Sequence, residues 1–343
     1  MKILVMGAGA IGGFVGACLA GNHHAVTLVG RPALMNHIAT AGLTLRRPGL
    51  PPQTVFPHTT TAVPSDDSFD FVFLTVKGPD TAQAIQDLAG LPKSSYLVSL
   101  QNGVGNEEQL AAAFGPERVM AGTITIPIAV PELGVIEVSK PKGGLGFAPL
   151  HRASRLTLAD AFTQAGLTSI VYDDYRAMKW SKLLLNMVNN ASCAILKQTP
   201  AQVIARPELM NLEILALREA VAVMRAQGIR AVKLPGYPAD WLARLVSARW
   251  LPLSLTRALL RPSMRSGRGS KMPSLYLDLA AGRPTSEIDV LNGAVVRAGQ
   301  KLGIPTPVNE ALTEILSGLV SGRLVWAEYQ NRPEKLVEAV RMG

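Results

Sequence analysis

The sequence predicts an α/β Rossmann-type domain followed by an all-α domain. Three observations predict it: a βαβ pattern with a glycine fingerprint at the front, further buried-strand patterns up to about residue 172, and helical periodicity without strands after that. At 343 residues the chain is long enough for two domains, expected at 1–172 and 173–343.

The front half justifies its elements in order. KILVMG reads as a buried strand, Gly7, Ala8, Gly9, Ala10, Ile11 and Gly12 follow, a helix-like run reaches about Ala20, and HAVTLVG is the second strand. Gly7 permits the tight turn, Gly9 lets a pyrophosphate approach the backbone, and Gly12 lets helix and sheet pack closely. Phosphates would sit on N–H groups at the helix start. A glycine-rich turn without a ligand is the plainer alternative. The second strand ends VTLVGRP, with Arg31 where an NAD-binding chain usually places an acid. A guanidinium suits a 2′-phosphate, so NADP(H) is the expected cofactor; a solvated loop arginine is the alternative.

Further strands are expected at FDFVFLTVK and YLVSLQNG, around a helical DTAQAIQDLAG. Ligands of open α/β sheets lie beyond the carboxyl ends of strands, which here carry Lys77 and the pair Gln101 and Asn102. Each also fits an ordinary loop or turn. RVMAGTITIPIAV, GVIEVSK and GGLGFAP read as the closing strands.

The opening run MKILVMGAGAIGGFVGACLA mimics a secretory signal, but its glycines suit the nucleotide turn better. No other run reaches about 18 uninterrupted apolar residues, so no membrane span is expected. Cys18 and Cys193 offer neither a disulfide framework nor metal spacing; no metal is expected, and a reducing cytoplasm fits.

The back half changes period. YRAMKWSKLLLNMVNNASCAIL and PELMNLEILALREAVAVMRAQG read as long amphipathic helices, the second closed by Gly228. In the first, Lys182, Asn186 and Asn190 recur at i, i+4 and i+8, with Asn189 beside them. Asparagine is a poor helix former, so the stripe is either a narrow polar face on a core helix or the lining of a ligand cavity. Glu287 and Ser274 open later helices, where an acid and a hydroxyl also serve as ordinary caps. A cleft is expected where the domains meet.

Net charge is +9, but residues 230–271 hold nine Lys or Arg against Asp240 alone, a balance of +8 that leaves +1 elsewhere. General nucleic-acid binding is therefore not expected. This proline-rich segment, about 231–271, reads as an insertion: foremost a helical pair at a subunit interface, with a lid or a membrane-surface segment as lesser alternatives.

GAGAIG at 7–12, Arg31, TVK ending at Lys77, LQNGVGNEE at 100–108, KLLLNMVNN at 182–190 and PSLYLDLAAGRPTSEIDVLNG at 273–293 together resemble the ketopantoate reductase (2-dehydropantoate 2-reductase) family, in its order and over nearly the whole chain. The resemblance implies NADPH-dependent reduction of ketopantoate to D-pantoate, a step toward pantothenate and coenzyme A. It casts Lys182 as general acid. Asn186 and Asn190 would hold the substrate's hydroxyl and carboxylate region, with Ser274 helping at the carboxylate. Asn102 would touch cofactor and substrate, Lys77 and the main chain near Ile128 the cofactor, and Glu287 the nicotinamide-ribose end, where it supports catalysis. The helical half would serve substrate binding and, in a homodimer, dimerisation. Pro200 departs from the pattern, standing where some relatives carry a further substrate asparagine. Two other readings stay open: reduction of another branched 2-oxo acid, as a D-2-hydroxyacid dehydrogenase, and a dinucleotide-binding sensor without turnover.

Overall fold

Alternation along the first strand sets the layers of the front unit. In the computed structural model, β1 (Lys2–Met6) turns Ile3 and Val5 into one apolar cluster and Leu4 and Met6 into another, so both faces of its sheet are covered. The structure describes residues 1–64, 67–151, 158–268 and 271–342.

The chain continues through α1 (Ala10–Gly21), β2 (Ala25–Val29), α2 (Pro32–Ala41), β3 (Leu43–Arg46), β4 (Gln53–Val55), β5 (His58–Thr60) and β6 (Phe71–Leu74). Then come α3 (Thr81–Asp87), β7 (Tyr96–Ser99), α4 (Asn106–Phe114), β8 (Val119–Ile124), β9 (Ile128–Glu132), β10 (Val135–Val138), β11 (Leu145–Pro149), α5 (Leu158–Gln164) and β12 (Ser169–Val171). The main sheet runs β12-β11-β8-β7-β6-β1-β2-β5. Its strands are parallel except where β8 meets β11. A second sheet, β4-β3-β10-β9, was not expected from the sequence. β9 and β10, read as closing strands of the domain, belong to it, because β10 pairs in parallel with β3 across some ninety residues of chain.

The helical unit begins within α6 (Tyr175–Met187) and holds α7 (Ala191–Leu196), α8 (Pro200–Ala205), α9 (Pro207–Ala226), α10 (Ala239–Ser247), α11 (Leu253–Arg268) and α12 (Ser274–Ala280). A 3-10 turn at Glu287–Val290, α13 (Asn292–Leu302), α14 (Pro307–Val320) and α15 (Pro333–Met342) complete it. Helix α9 is its core, with Leu209, Ile214, Leu217, Ala220 and Val223 at most 1% exposed. It ends at Gly228, whose φ of 72° suits glycine beyond a helix end. Glu219 of α9 accepts from the Val308 and Asn309 N–H groups at 2.9 and 3.0 Å, closing the start of α14. By contacts, the first unit is Met1–Gln101, Gly105–Lys179 and Leu234–Tyr237; the second is Asn102–Val104, Trp180–Lys233 and Pro238–Gly343.

The expected single helix over 175–196 is broken. Asn189 takes a left-handed φ of 54°, and its N–H donates to the Glu213 carboxylate at 2.7 Å instead of continuing the helix. The Ser192 hydroxyl bonds the other oxygen of Glu213. The stripe of Lys182 and Asn186 therefore stops at Met187, and Asn190 stands at the first position before α7, its side chain making no capping bond to it.

Candidate active site

In the first unit the candidate positions gather because four parallel strands end in register. Met6 pairs with Val29 and Leu74, and Leu74 with Ser99. The glycine turn, Arg31, Lys77 and the 100–101 segment all follow these ends, as ligand-binding positions do in such sheets. Gly7 has φ 101°, and a Cβ there would stand 2.8 Å from the Val76 nitrogen. At Gly12 a Cβ would stand 2.1 Å from the Gly7 carbonyl oxygen and 2.5 Å from the Thr75 hydroxyl, itself bonded to the Met6 and Gly7 carbonyls. At Gly9 a Cβ would meet nothing within 4 Å. Two glycines thus serve packing and the third leaves open space over the turn.

The first bond of α1 runs from the Gly13 N–H to the Gly9 carbonyl at 2.7 Å. The N–H groups of Ala10, Ile11 and Gly12 precede it and have no intrahelical acceptor, so these three form a cradle for an anion, while those of Ala8 and Gly9 are taken by the Val29 and Gly7 carbonyls. This predicts a split between two variants. Gly12→Ala should cost about 1–3 kcal/mol of stability through overpacking. Gly9→Ala should leave thermal unfolding unchanged while weakening dinucleotide binding. Calorimetry and a binding titration check both.

Arg31 is exposed at the start of α2, and Lys77 is half-buried just before a 3-10 turn at Gly78–Asp80. Ile128 opens β9 opposite Val138, in the second sheet rather than at an end of the parallel one. A groove lined by Lys2, His24, Ala25, Phe56 and Asp67 lies at the amino ends of β1 and β2, the wrong edge for a dinucleotide. Among the described residues, no group of three His, Cys, Asp or Glu could hold a metal.

In the second unit, Lys182 and Asn186 stand one turn apart on α6, both half-buried. The Asn186 side-chain amide donates to Asn102 Oδ1 at 3.1 Å. Next to Asn102, Gly103 has φ 84° and lies so close to Val290 that a Cβ would stand 2.4 Å from its carbonyl oxygen; the Val104 N–H donates to that oxygen at 3.2 Å. Val290 closes the 3-10 turn that Glu287 opens, and Glu287 is 6% exposed. Lys182, Asn186, Asn102 and the Glu287 turn are thereby brought to one place. Ser286 caps the turn through the Ile288 N–H at 3.2 Å, not through Asp289 as a capping box would require. Asn190 is 2% exposed, and its Oδ1 accepts from the Leu275 N–H at 3.2 Å, fixing the start of α12 beside the exposed Ser274.

Sequence reasoning missed the buried pair Lys179–Glu107. They are 3% and 1% exposed and 2.8 Å apart, and Lys179 also donates to the Gln101 carbonyl at 2.6 Å. Around them, the Gln101 amide donates to the Thr81 hydroxyl at 2.8 Å, and that hydroxyl lies 3.2 Å from Asn106 Oδ1. One signal was available: Lys179 continues the stripe of Lys182 and Asn186 one turn earlier.

Two family models match the chain: ketopantoate reductase PanE/ApbA over residues 3–151, and the C-terminal part of the same family over 174–320. The chain belongs to the ketopantoate reductase family. The 2-dehydropantoate 2-reductase of Pyrococcus horikoshii is 28% identical over 312 residues, 90% of this chain and 94% of its own length. That of Halobacterium salinarum is 28% identical over 321 residues, 92% and 98%. Among solved structures, a PanE/ApbA family ketopantoate reductase from Ralstonia eutropha is 29% identical with a TM-score of 0.78, covering 94% of this chain and 99% of its own. D-mandelate dehydrogenase with NADH and anilino(oxo)acetate shares the fold, with a TM-score of 0.78 at 23% identity and the same coverage. Family membership supports a nicotinamide dinucleotide cofactor, and the open space over Gly9 with the N–H groups beside it fits one.

Proposed function

We propose that this chain reduces a branched 2-oxo acid, ketopantoate foremost, to the D-2-hydroxy acid with NADPH, with Lys182 as general acid. The observation that carries the reading is the Asn186–Asn102 amide bond one turn from Lys182, on a loop seated on the Glu287 turn. The names of the relatives from Pyrococcus horikoshii and Halobacterium salinarum support the substrate.

When bound, the reduced dinucleotide supplies the hydride that the ketone carbon accepts. As that C–H bond forms, the carbonyl π pair moves onto oxygen. The Lys182 ammonium stabilises the growing charge and gives the proton that completes the alcohol; the amine left behind regains a proton from water. Asn186 and Asn102 suit the substrate's hydroxyl and carboxylate because an amide both donates and accepts. Ser274 beside Asn190 extends the carboxylate contact, and Glu287 orients the nicotinamide-ribose end, with Lys77 and the Ile128 main chain as further cofactor contacts.

Arg31 is assigned to the 2′-phosphate of NADPH. Arg31→Ser should raise KM for NADPH about tenfold and leave KM for NADH unchanged, the lower end for a hydrogen bond to a charged group because Arg31 is exposed. A competing substrate has one specific support: Pro200 at the start of α8 brings no amide where some relatives carry an asparagine. Dinucleotide oxidation across ketopantoate and other branched 2-oxo acids, with NADPH and with NADH, tests the reading. Highest kcat/KM for ketopantoate with NADPH supports it. A higher value for another acid moves the substrate, and dinucleotide binding with no turnover on any of them favours the sensor.

A further inference from the structure

Helices α10 and α11 carry an outward apolar surface. Thr256 and Leu260 of α11 are wholly buried, and α11 packs on α8 and α9. Arg257 donates to Asn211 Oδ1 at 2.6 Å, and Arg218 donates to the Val246 carbonyl at the end of α10 at 2.9 Å. These contacts fix which arc of α11 faces out. That arc holds Leu255, Ala258, Leu259 and Pro262, which fall within about 100° of one another at helical spacing, and all four are exposed. A surface helix normally puts charged or polar residues there. Leu255 and Leu259 are 49% and 46% exposed, Trp241 of α10 is 43% exposed, and Trp250 between the helices is 82% exposed. Arg244, Arg249 and Arg261 are exposed in the same pair of helices and the turn joining them. The segment's one acid, Asp240, is already paired with Arg244 at 2.6 Å.

Charge decides the occupant. A two-fold contact sets one patch against its own copy, which would bring the exposed Arg244, Arg249 and Arg261 of two copies together with Asp240 alone as an acid to answer them. A nucleic acid would answer the arginines but not the Leu and Pro arc. An anionic bilayer surface answers both: leucines reach the acyl boundary, indoles sit at headgroup level and arginines meet the headgroups. Among the described residues no helix is long and apolar enough to cross a membrane, so the contact is peripheral. We infer that the exposed face of α10 and α11 docks the protein on an anionic lipid surface.

Flotation of the full chain tests this, with vesicles of phosphatidylcholine alone and of phosphatidylcholine with phosphatidylglycerol. Binding is expected only to the anionic vesicles, and it should fall as salt rises. The triple variant Trp250→Ser, Leu255→Gln, Leu259→Gln should abolish flotation with unchanged thermal unfolding, since each position is on the surface. The pair Arg249→Ser, Arg261→Ser should lower partitioning about 25-fold, at roughly 1 kcal/mol per basic residue. No flotation at low salt would overturn the inference, as would binding that survives the triple variant. So would a dimer that the triple variant dissociates, or salt-sensitive binding to duplex DNA, in the absence of vesicle binding.

Discussion

Lys182→Ala is expected to lower turnover roughly 10²–10⁴-fold while NADPH binding stays near normal. The dinucleotide is assigned to the glycine turn, Arg31, Lys77, the Ile128 main chain and Glu287, none of which the substitution alters. What it removes is the group that both neutralises the oxygen and delivers its proton. Lys182→Arg should restore little, because a guanidinium keeps its proton at any working pH. Asn186→Ala should behave differently, raising KM more than it lowers kcat, since its amide holds substrate in ground and transition state alike. Steady-state kinetics with a fluorescence titration of NADPH separates these outcomes. Near-normal turnover in Lys182→Ala would remove the general-acid assignment.

Lys179→Ala is expected to destabilise the protein by about 3–5 kcal/mol, the range for leaving one member of a buried ion pair without its partner. Glu107 is 1% exposed, so its carboxylate would be left buried without the ammonium, and the Gln101 carbonyl would lose its donor. Glu107→Ala should cost a similar amount for the converse reason. The double variant Lys179→Met, Glu107→Leu should be less destabilised than the sum of the single variants, because it leaves no unpaired charge. Urea unfolding measures all three. Single variants within 1 kcal/mol of wild type would show the pair to be relaxed by water.

The front of the fold was legible because its information is local. A strand, three glycines and a helix within twenty residues define a turn whose close contacts, Gly12 against Gly7 and Thr75, are what the spacing demands. The second sheet was not legible, since β3 and β10 are short and find each other across a long stretch of chain. The helix break at Asn189 depends on Glu213, a carboxylate from another helix that no local pattern announces. No local pattern announces that Lys179 meets Glu107, and only packing reveals them as a pair. Lys182 and Asn186 stood out because asparagine is costly in an apolar helix, Asn102 because it follows the end of a strand, and the structure joins Asn186 to Asn102 directly. The arc of α11 was hidden for the opposite reason: periodicity shows that a helix has an apolar side, not which side meets water.

Hydride tracing tests the central claim most directly. The purified chain would be incubated with ketopantoate and NADPH deuterated at the transferable position of the nicotinamide, and the product examined by mass spectrometry and chiral chromatography. The account predicts D-pantoate carrying one deuterium at C2 from the wild type, with formation slowed roughly 10²–10⁴-fold in Lys182→Ala. Dinucleotide that binds tightly while ketopantoate is recovered unreduced, or deuterium appearing equally fast without Lys182, would contradict it.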